Sequence, residues 1–229
     1  MDYLNNVLFG IYPYIALAVF VLGSLIRYDR DQYSWKTGSS QMLESKMLRK
    51  GSMPFHVGII AVLAGHFVGL LTPHQVWDFL HVTAPMKQVF AMAMGGFFGL
   101  VCFYGLTILI IRRFTNDRVK ASSSTMDNLI LVLIYIQLIM GLVSIFISTG
   151  HMDGAEMLKL MSWAQNLVTF QGSDAAAAMA DVHIIFKMHI LLGMSLFLIF
   201  PFSRLVHVWS VPVKYFRRNY QIVLKTTTM

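Results

Sequence analysis

The sequence predicts an all-α fold: one integral membrane bundle of five transmembrane helices spanning residues 1–229. Three observations predict it. Hydrophobic residues make up 56% of the chain and charged residues 13%, where a soluble domain is about a quarter charged. The missing charge is concentrated in long intervals that carry none, and lysine and arginine gather in alternate connections between those intervals.

The intervals come first. Residues 3–26, 51–77, 88–111 and 128–152 contain no Asp, Glu, Lys or Arg. Each exceeds the roughly 20 residues an α-helix needs to cross the hydrocarbon. The fifth is less clean: residues 182–203 are apolar apart from Lys187, and Arg204 follows before another uncharged run. Expected helices are therefore residues 4–27, 52–72, 87–112, 126–149 and 182–210, the last only partly in lipid.

Basic residues then orient the bundle. The first connection holds Arg27, Arg30, Lys36, Lys46, Arg49 and Lys50, and the third holds Arg112, Arg113, Arg118 and Lys120. The end of the fifth span and the tail add Arg204, Lys214, Arg217, Arg218 and Lys225, while the opposite side receives Lys87, Lys159 and Lys187. Fifteen against three places the N-terminus outside and the C-terminus in the cytoplasm. Four spans would put the basic tail on the wrong side. The net charge of +7 is thus read as topology rather than as a nucleic-acid footprint, and the chain is placed in the cell membrane as a multi-pass protein.

Other features narrow the chemistry. Cys102 is the single cysteine, so no internal disulfide forms, and its apolar surroundings suit a buried packing residue. CxxC and CxxCH motifs are absent, which argues against zinc ribbons, iron–sulfur ligation within the chain and covalent c-type haem. The N-terminus lacks the basic start of a cleaved signal peptide, so the first helix is expected to be retained. The outer connection, residues 149–181, is expected to hold a short helix over residues 155–170, lying on the membrane surface or capping the bundle. The inner connection, residues 27–52, and the tail from Val211 carry Tyr33, Trp35, Tyr215, Phe216 and Tyr220. Aromatic residues of this kind suit docking of soluble partners, or a belt at the bilayer surface.

Histidines carry the functional signal. His74, His81, His151 and His183 fall in loops or at span ends and are weak candidates. His56 and His66 share the second span, and His189 and His207 share the fifth. One intramembrane histidine is commonly satisfied by a neighbouring helix; two pairs on two helices call for another reason. Neutral imidazole is a good axial ligand for haem iron, and such sites are built in bundle cores from facing helices.

Antiparallel order selects His56 with His207 near the cytoplasmic side and His66 with His189 on the outer side. On straight helices the ten-residue step rises about 15 Å and the eighteen-residue step about 27 Å, so equal heights need tilt or bending. Pro201 lies between His189 and His207 and is expected to kink the fifth helix. Eighteen residues make five full turns, which turns His189 and His207 the same way, while His56 and His66 are out of phase by roughly 80°. Gly58, Ala61, Ala64, Gly65 and Gly69 on the second span and Gly193 on the fifth serve haem approach and helix packing equally well.

In this order the motifs resemble a known family. They are Ile11-Tyr12-Pro13-Tyr14-Ile15-Ala16, Arg27-Tyr28-Asp29, Gln32-Tyr33-Ser34-Trp35 and Ser39-Ser40-Gln41-Met42-Leu43. Phe55-His56-Val57-Gly58, Gly65-His66-Phe67-Val68-Gly69 and Leu71-Thr72-Pro73-His74 follow, then His151-Met152-Asp153-Gly154 and Trp163-Ala164-Gln165. The most specific block runs from Phe200 through Pro201, Arg204 and His207 to Pro212. Over nearly its whole length the chain resembles the cytochrome b-type gamma subunit of respiratory nitrate reductase.

The resemblance implies two haems b, ligated at His56, His66, His189 and His207. It implies menaquinol or ubiquinol as donor, an iron–sulfur beta subunit and a molybdenum-containing alpha subunit on the cytoplasmic side, and a place in nitrate respiration and assimilation. The expected function is quinol oxidation near the outer face, with electrons passed inward to the iron–sulfur partner and no terminal reductase chemistry in this chain. A dihaem anchor of another reductase and a non-redox anchor are the alternatives. Lys87, Gly65 and His66 are the candidate quinol-binding residues, because Lys87 opens the third span at the outer face and Gly65 admits a ring beside His66. Arg204 and Lys187, near His207 and His189, are the candidate partners of haem propionates, which need cations where they meet the membrane surface.

Overall fold

The computed structural model describes residues 2–35, 40, 43–150 and 152–210. Lys36, Ser39, Gln41, Met42, His151 and the tail from Val211, with the expected docking residues Tyr215, Phe216 and Tyr220, lie outside the described residues.

Among the described residues, five helices are long and apolar enough to cross a membrane, and there are no strands. They are α1 (Tyr3–Arg30), α2 (Ser45–Leu71), α3 (Ala84–Thr115), α4 (Thr125–Ser148) and α5 (Ile184–Phe202, α-helical over Ile184–Ile199). In lipid the backbone must satisfy its own hydrogen bonds, which selects this all-helical architecture. The chain is a multi-pass membrane protein.

Local chemistry starts the helices. At α4 a capping box closes the first turn: the Ser124 hydroxyl accepts from Asp127 N–H at 3.1 Å, and Asp127 accepts from Ser124 N–H at 3.2 Å. Thr83 caps α3 ahead of Pro85, which occupies a first-turn position where its missing N–H costs nothing.

The helices form an arc in which α2 packs on α3, α3 on α4, α4 on α5 and α5 on α1. Small residues let α2 and α3 approach closely. A Cβ added to Gly58 would stand 2.6 Å from the Cys102 backbone nitrogen, and one at Gly51 would stand 3.0 Å from the Gly105 carbonyl oxygen. Van der Waals contact between close backbones drives such pairs in lipid, where apolar burial gains nothing. Cys102 is fully buried in this seam. By contrast α2 and α5 share no broad packing; they face one another across the arc.

One end of the bundle is capped. The helix Ala155–Val168 lies over it, with the Trp163 indole donating to the Phe9 carbonyl at 3.0 Å. The Gln165 amide donates to the carbonyls of Leu70 at 3.2 Å and Thr72 at 3.1 Å, satisfying groups at the end of α2. Of the two placements the sequence allows for this helix, the structure adopts the cap.

Two boundaries differ from the sequence expectation. First, α2 begins at Ser45 rather than near residue 52, so Lys46, Arg49 and Lys50 are helical and Pro54 lies inside the helix. Charge ends a lipid-spanning stretch without ending a helix. Second, the expected continuous helix over residues 182–210 is broken. Its α-helical run stops at Ile199; Phe200–Phe202 and Arg204–Ser210 follow as 3-10 turns, with Ser203 extended between them at φ −117° and ψ 177°. Pro201 has no N–H for the helical ladder and its ring collides with the preceding turn. His207 therefore stands on a separate segment, and the five-turn phase argument linking it to His189 does not apply.

The break is tied down. Arg27, in the last turn of α1, donates to the carbonyls of Pro201 at 2.5 Å and Ser203 at 2.9 Å, and to the Ser34 carbonyl at 2.8 Å. Phe20 packs edge-on against Phe200 at 4.8 Å between centroids and lies 5.2 Å from Trp209.

Candidate functional site

Across the arc, His56 and His66 on α2 face His189 on α5 and His207 on the segment after the break. His66 and His189 have ring centroids 6.1 Å apart and planes 31° apart. His56 and His207 have centroids 6.5 Å apart and planes 69° apart. The pairs sit at different levels, because α2 and α5 run antiparallel and the segment after the Pro201 break sets His207 beside His56 in the first half of α2.

Three of the rings are turned by their own backbone. Nδ1 of His56 lies 2.7 Å from the Ser52 carbonyl, that of His66 2.8 Å from Val62, and that of His207 2.7 Å from Arg204. A ring nitrogen that donates to a carbonyl fixes the tautomer and frees the other nitrogen as a lone-pair ligand. Burial lowers the pKa of His207, which lies beyond the last span, below imidazole's ordinary value, against the hydrogen bond to Arg204 that raises it. That direction favours the neutral ring, the form that binds a metal.

The pair geometry fits a macrocycle held from both sides. Two imidazoles bonded trans to one iron at about 2 Å each have ring centroids roughly 6 Å apart. The surroundings of the His66 pair agree: a Cβ added to Gly65 or Gly69 would meet no atom within 4 Å, so α2 leaves room there. Gly58 belongs to the α2–α3 seam, and Gly193 accommodates Gln137, whose Nε2 would lie 3.2 Å from a Cβ there. The glycines thus divide between the two roles. Among the described residues no group of three or more His, Cys, Asp or Glu gathers to hold a bare metal ion; these histidines come in twos.

Lys87 is turned inward. Its residue is 6% exposed, its ammonium donates to the Met161 sulfur, and it lies 4.6 Å from the Trp77 ring centroid. A thioether is a weak acceptor, and an indole face attracts a cation without neutralising it. Taking Gly58 against Cys102 as the α2–α3 register, Lys87 lies roughly 10 Å beyond His66 along the bundle.

The remaining candidates are engaged otherwise. Arg204 lies 3.9 Å from Asp127 and supplies the carbonyl that holds His207. Lys187 donates to the Ala180 carbonyl at 2.8 Å, and at two residues from His189 it sits on a different face of α5.

Two residues escaped sequence reasoning. Gln137 on α4 contacts both the ring and the carbonyl of His189. Arg112, 2% exposed, donates to the Ser40 carbonyl at 2.9 Å, the Ser40 hydroxyl at 3.1 Å and the Leu43 carbonyl at 2.5 Å, pinning the first connection to α3. A polar amide in an otherwise apolar span was the available signal for Gln137; nothing in the sequence distinguished Arg112 from its basic neighbours.

Comparisons with known proteins agree along the chain. Residues 5–226 match the family model described as nitrate reductase gamma subunit. The chain is 49% identical to the respiratory nitrate reductase 1 gamma chain of Escherichia coli (strain K12), over 97% of this chain and 98% of that one. It is 47% identical to the respiratory nitrate reductase 2 gamma chain of the same organism, over 97% and 98%. It is 36% identical to the nitrate reductase gamma chain of Bacillus subtilis (strain 168), over 96% and 98%. With five membrane-crossing helices and this match over nearly every residue, the chain belongs to the nitrate reductase gamma subunit family, and is the membrane subunit of an oxidoreductase complex that it forms with the other subunits of respiratory nitrate reductase.

Proposed function

We propose that this subunit oxidises quinol near the outer face of the membrane and delivers the electrons inward, through two haems b, to an iron–sulfur subunit serving a molybdenum-containing one. The observation that carries this reading is the pair of facing histidine couples, 6.1 and 6.5 Å between ring centroids, at two levels of one bundle. Each haem, when bound, accepts and releases one electron at a time, and two are needed because one does not cover the width of the bilayer.

The chain's own residues do the rest. His66 with His189, and His56 with His207, would each hold one haem through their imidazole nitrogens. Quinol is lipid-soluble, so its site opens to the bilayer, and Gly65 leaves room for a ring beside His66. Lys87 supplies the polar contact: its inward ammonium holds a quinol oxygen and favours negative charge there as the proton leaves. An interfacial anchor would send its ammonium outward to water; this one turns under the Ala155–Val168 cap. Arg204, beside His207, is positioned to meet haem propionates at the basic end of the bundle. The positive-inside distribution puts that end in the cytoplasm, where residues 27–52 and the tail dock the soluble subunits. Lys187, already on the Ala180 carbonyl, makes the weaker propionate partner.

The test is a spectrum and a copurification. The purified complex shows the Soret and reducible alpha bands of b-type haem, and quinol analogue reduces them. A colourless preparation that still binds the soluble subunits would make the chain a non-redox anchor. Copurification of soluble subunits with a different terminal activity would assign the dihaem bundle to another reductase.

A further inference from the structure

His189 differs from the other three histidines in what holds its ring. Those three donate from Nδ1 to a carbonyl one turn earlier on their own segment. Nδ1 of His189 is buried and has no hydrogen-bond partner. The residue is met instead from the neighbouring helix: the Gln137 amide nitrogen on α4 lies 3.0 Å from the His189 carbonyl oxygen and 3.3 Å from its ring Nε2.

Two glycines build the seat. A Cβ on Gly193 would stand 3.2 Å from Gln137 Nε2, and one on Gly141 would stand 3.2 Å from His189 Cε1. Both contacts are tighter than side chains ordinarily tolerate, so α4 and α5 leave room at these positions for the amide and the imidazole. Gln137 Oε1 is also buried without a partner. The same two side chains thus hold one unused ring nitrogen and one unused carbonyl oxygen.

We propose that Gln137 is a positioning residue for His189, taking across the helix interface the part that local carbonyls take for His56, His66 and His207. This rests on the reading that His66 and His189 hold a haem. When the iron occupies one nitrogen of the His189 ring, the other carries a proton and needs an acceptor. The Gln137 oxygen is that acceptor: the amide turns about its last bond to present it to the ring, and the side chain shifts to carry it off the His189 carbonyl oxygen that the amide nitrogen now meets at 3.0 Å. The His189 carbonyl retains its helical bond to the N–H four residues on. The hydrogen bond makes the ring a stronger donor to iron and fixes its plane. The outer haem is therefore tuned from α4, while the inner one is tuned from the histidines' own segments, by the Ser52 carbonyl and hydroxyl and the Arg204 carbonyl.

The test uses the assembled complex in membranes, with Gln137→Leu, Gln137→Glu and Gly193→Ala. Redox titration of each haem and the low-spin EPR signals are read alongside haem retention. Gln137→Leu raises the potential of the His66–His189 haem and shifts its largest g value, leaves the other haem unchanged, and speeds loss of the outer haem to apomyoglobin about tenfold or more. Gln137→Glu retains an acceptor, so its potential stays at or below the wild-type value. Gly193→Ala displaces the amide without altering it and reproduces the Leu shift in smaller measure, which keeps the test open if Gln137→Leu does not assemble. Leu or Ala variants with an unchanged outer haem, or Leu and Glu variants that shift together with the inner haem, would overturn the assignment. Absence of bis-histidine haem in the wild-type complex would instead remove the reading beneath it.

Discussion

Arg27 donates to the carbonyl of Pro201 at 2.5 Å, joining the end of α1 to the break in α5. Pro201 ends the α-helical run, and the guanidinium satisfies its carbonyl together with that of Ser203 at 2.9 Å. Four residues later stands His207. Arg27→Ala leaves these acceptors unsatisfied, at a cost on the order of 2–4 kcal/mol for hydrogen bonds to a charged group. The expected outcome is a lower unfolding temperature in detergent and selective loss of the haem proposed for His56 and His207. Arg27→Lys does not restore it, since an ammonium lacks the planar fork. Equal loss of both haems would mean that Arg27 supports the whole bundle rather than the break.

The α2–α3 seam gives a contrast between two glycines on one helix. Gly58→Ala pushes a methyl into the Cys102 backbone and costs about 1–3 kcal/mol through overpacking. Gly69→Ala meets no protein atom and leaves the seam intact, but it enters the space proposed for the outer haem, so it weakens that haem and not the bundle. Thermal denaturation of the two variants side by side measures the difference. If Gly69→Ala is the more damaging, the seam has been placed on the wrong face.

Lys87→Ala is expected to slow haem reduction by a quinol analogue about tenfold or more, the worth of one hydrogen bond to a charged group, and to weaken inhibitor binding, with haem content unchanged. Lys87→Arg recovers little, because the pocket under Met161 and Trp77 suits a slender ammonium. Stopped-flow reduction measures both. Normal rates would return Lys87 to a structural role.

The two histidine pairs predict different magnetism. The planes of His56 and His207 lie 69° apart and those of His66 and His189 31° apart. Crossed ligand planes leave the iron d orbitals closer in energy than parallel ones and push the largest g value higher. The haem lost on replacing His56 is therefore the one with the larger value. EPR of His56 and His66 variants decides the order.

Much of this was legible in the sequence because lipid imposes a strict rule: a span is a long uncharged interval. That rule located all five spans. It failed where a helix leaves the lipid, at Ser45–Gly51, since Lys46, Arg49 and Lys50 are unwelcome in hydrocarbon yet good helix formers. The histidines stood out because polar rings in apolar spans are rare. Pro201 announced a bend, but its extent depended on Arg27 and Phe20, which lie more than 170 residues away in the chain. Lys87 opens its span at a membrane face, and only the fold shows that its ammonium turns under the Ala155–Val168 helix onto the Met161 sulfur. Gln137 and Arg112 matter through neighbours that only the folded chain brings to them.

The central claim is that two histidine pairs each hold one haem b. Replacing His56, His66, His189 and His207 one at a time and recording dithionite-reduced spectra with redox titration tests it most directly. The account predicts that His56→Ala and His207→Ala lose the same component, that His66→Ala and His189→Ala lose the other, and that each variant keeps about half the alpha-band absorbance. Matching losses for His56 and His189, or four variants with full haem content, would contradict it.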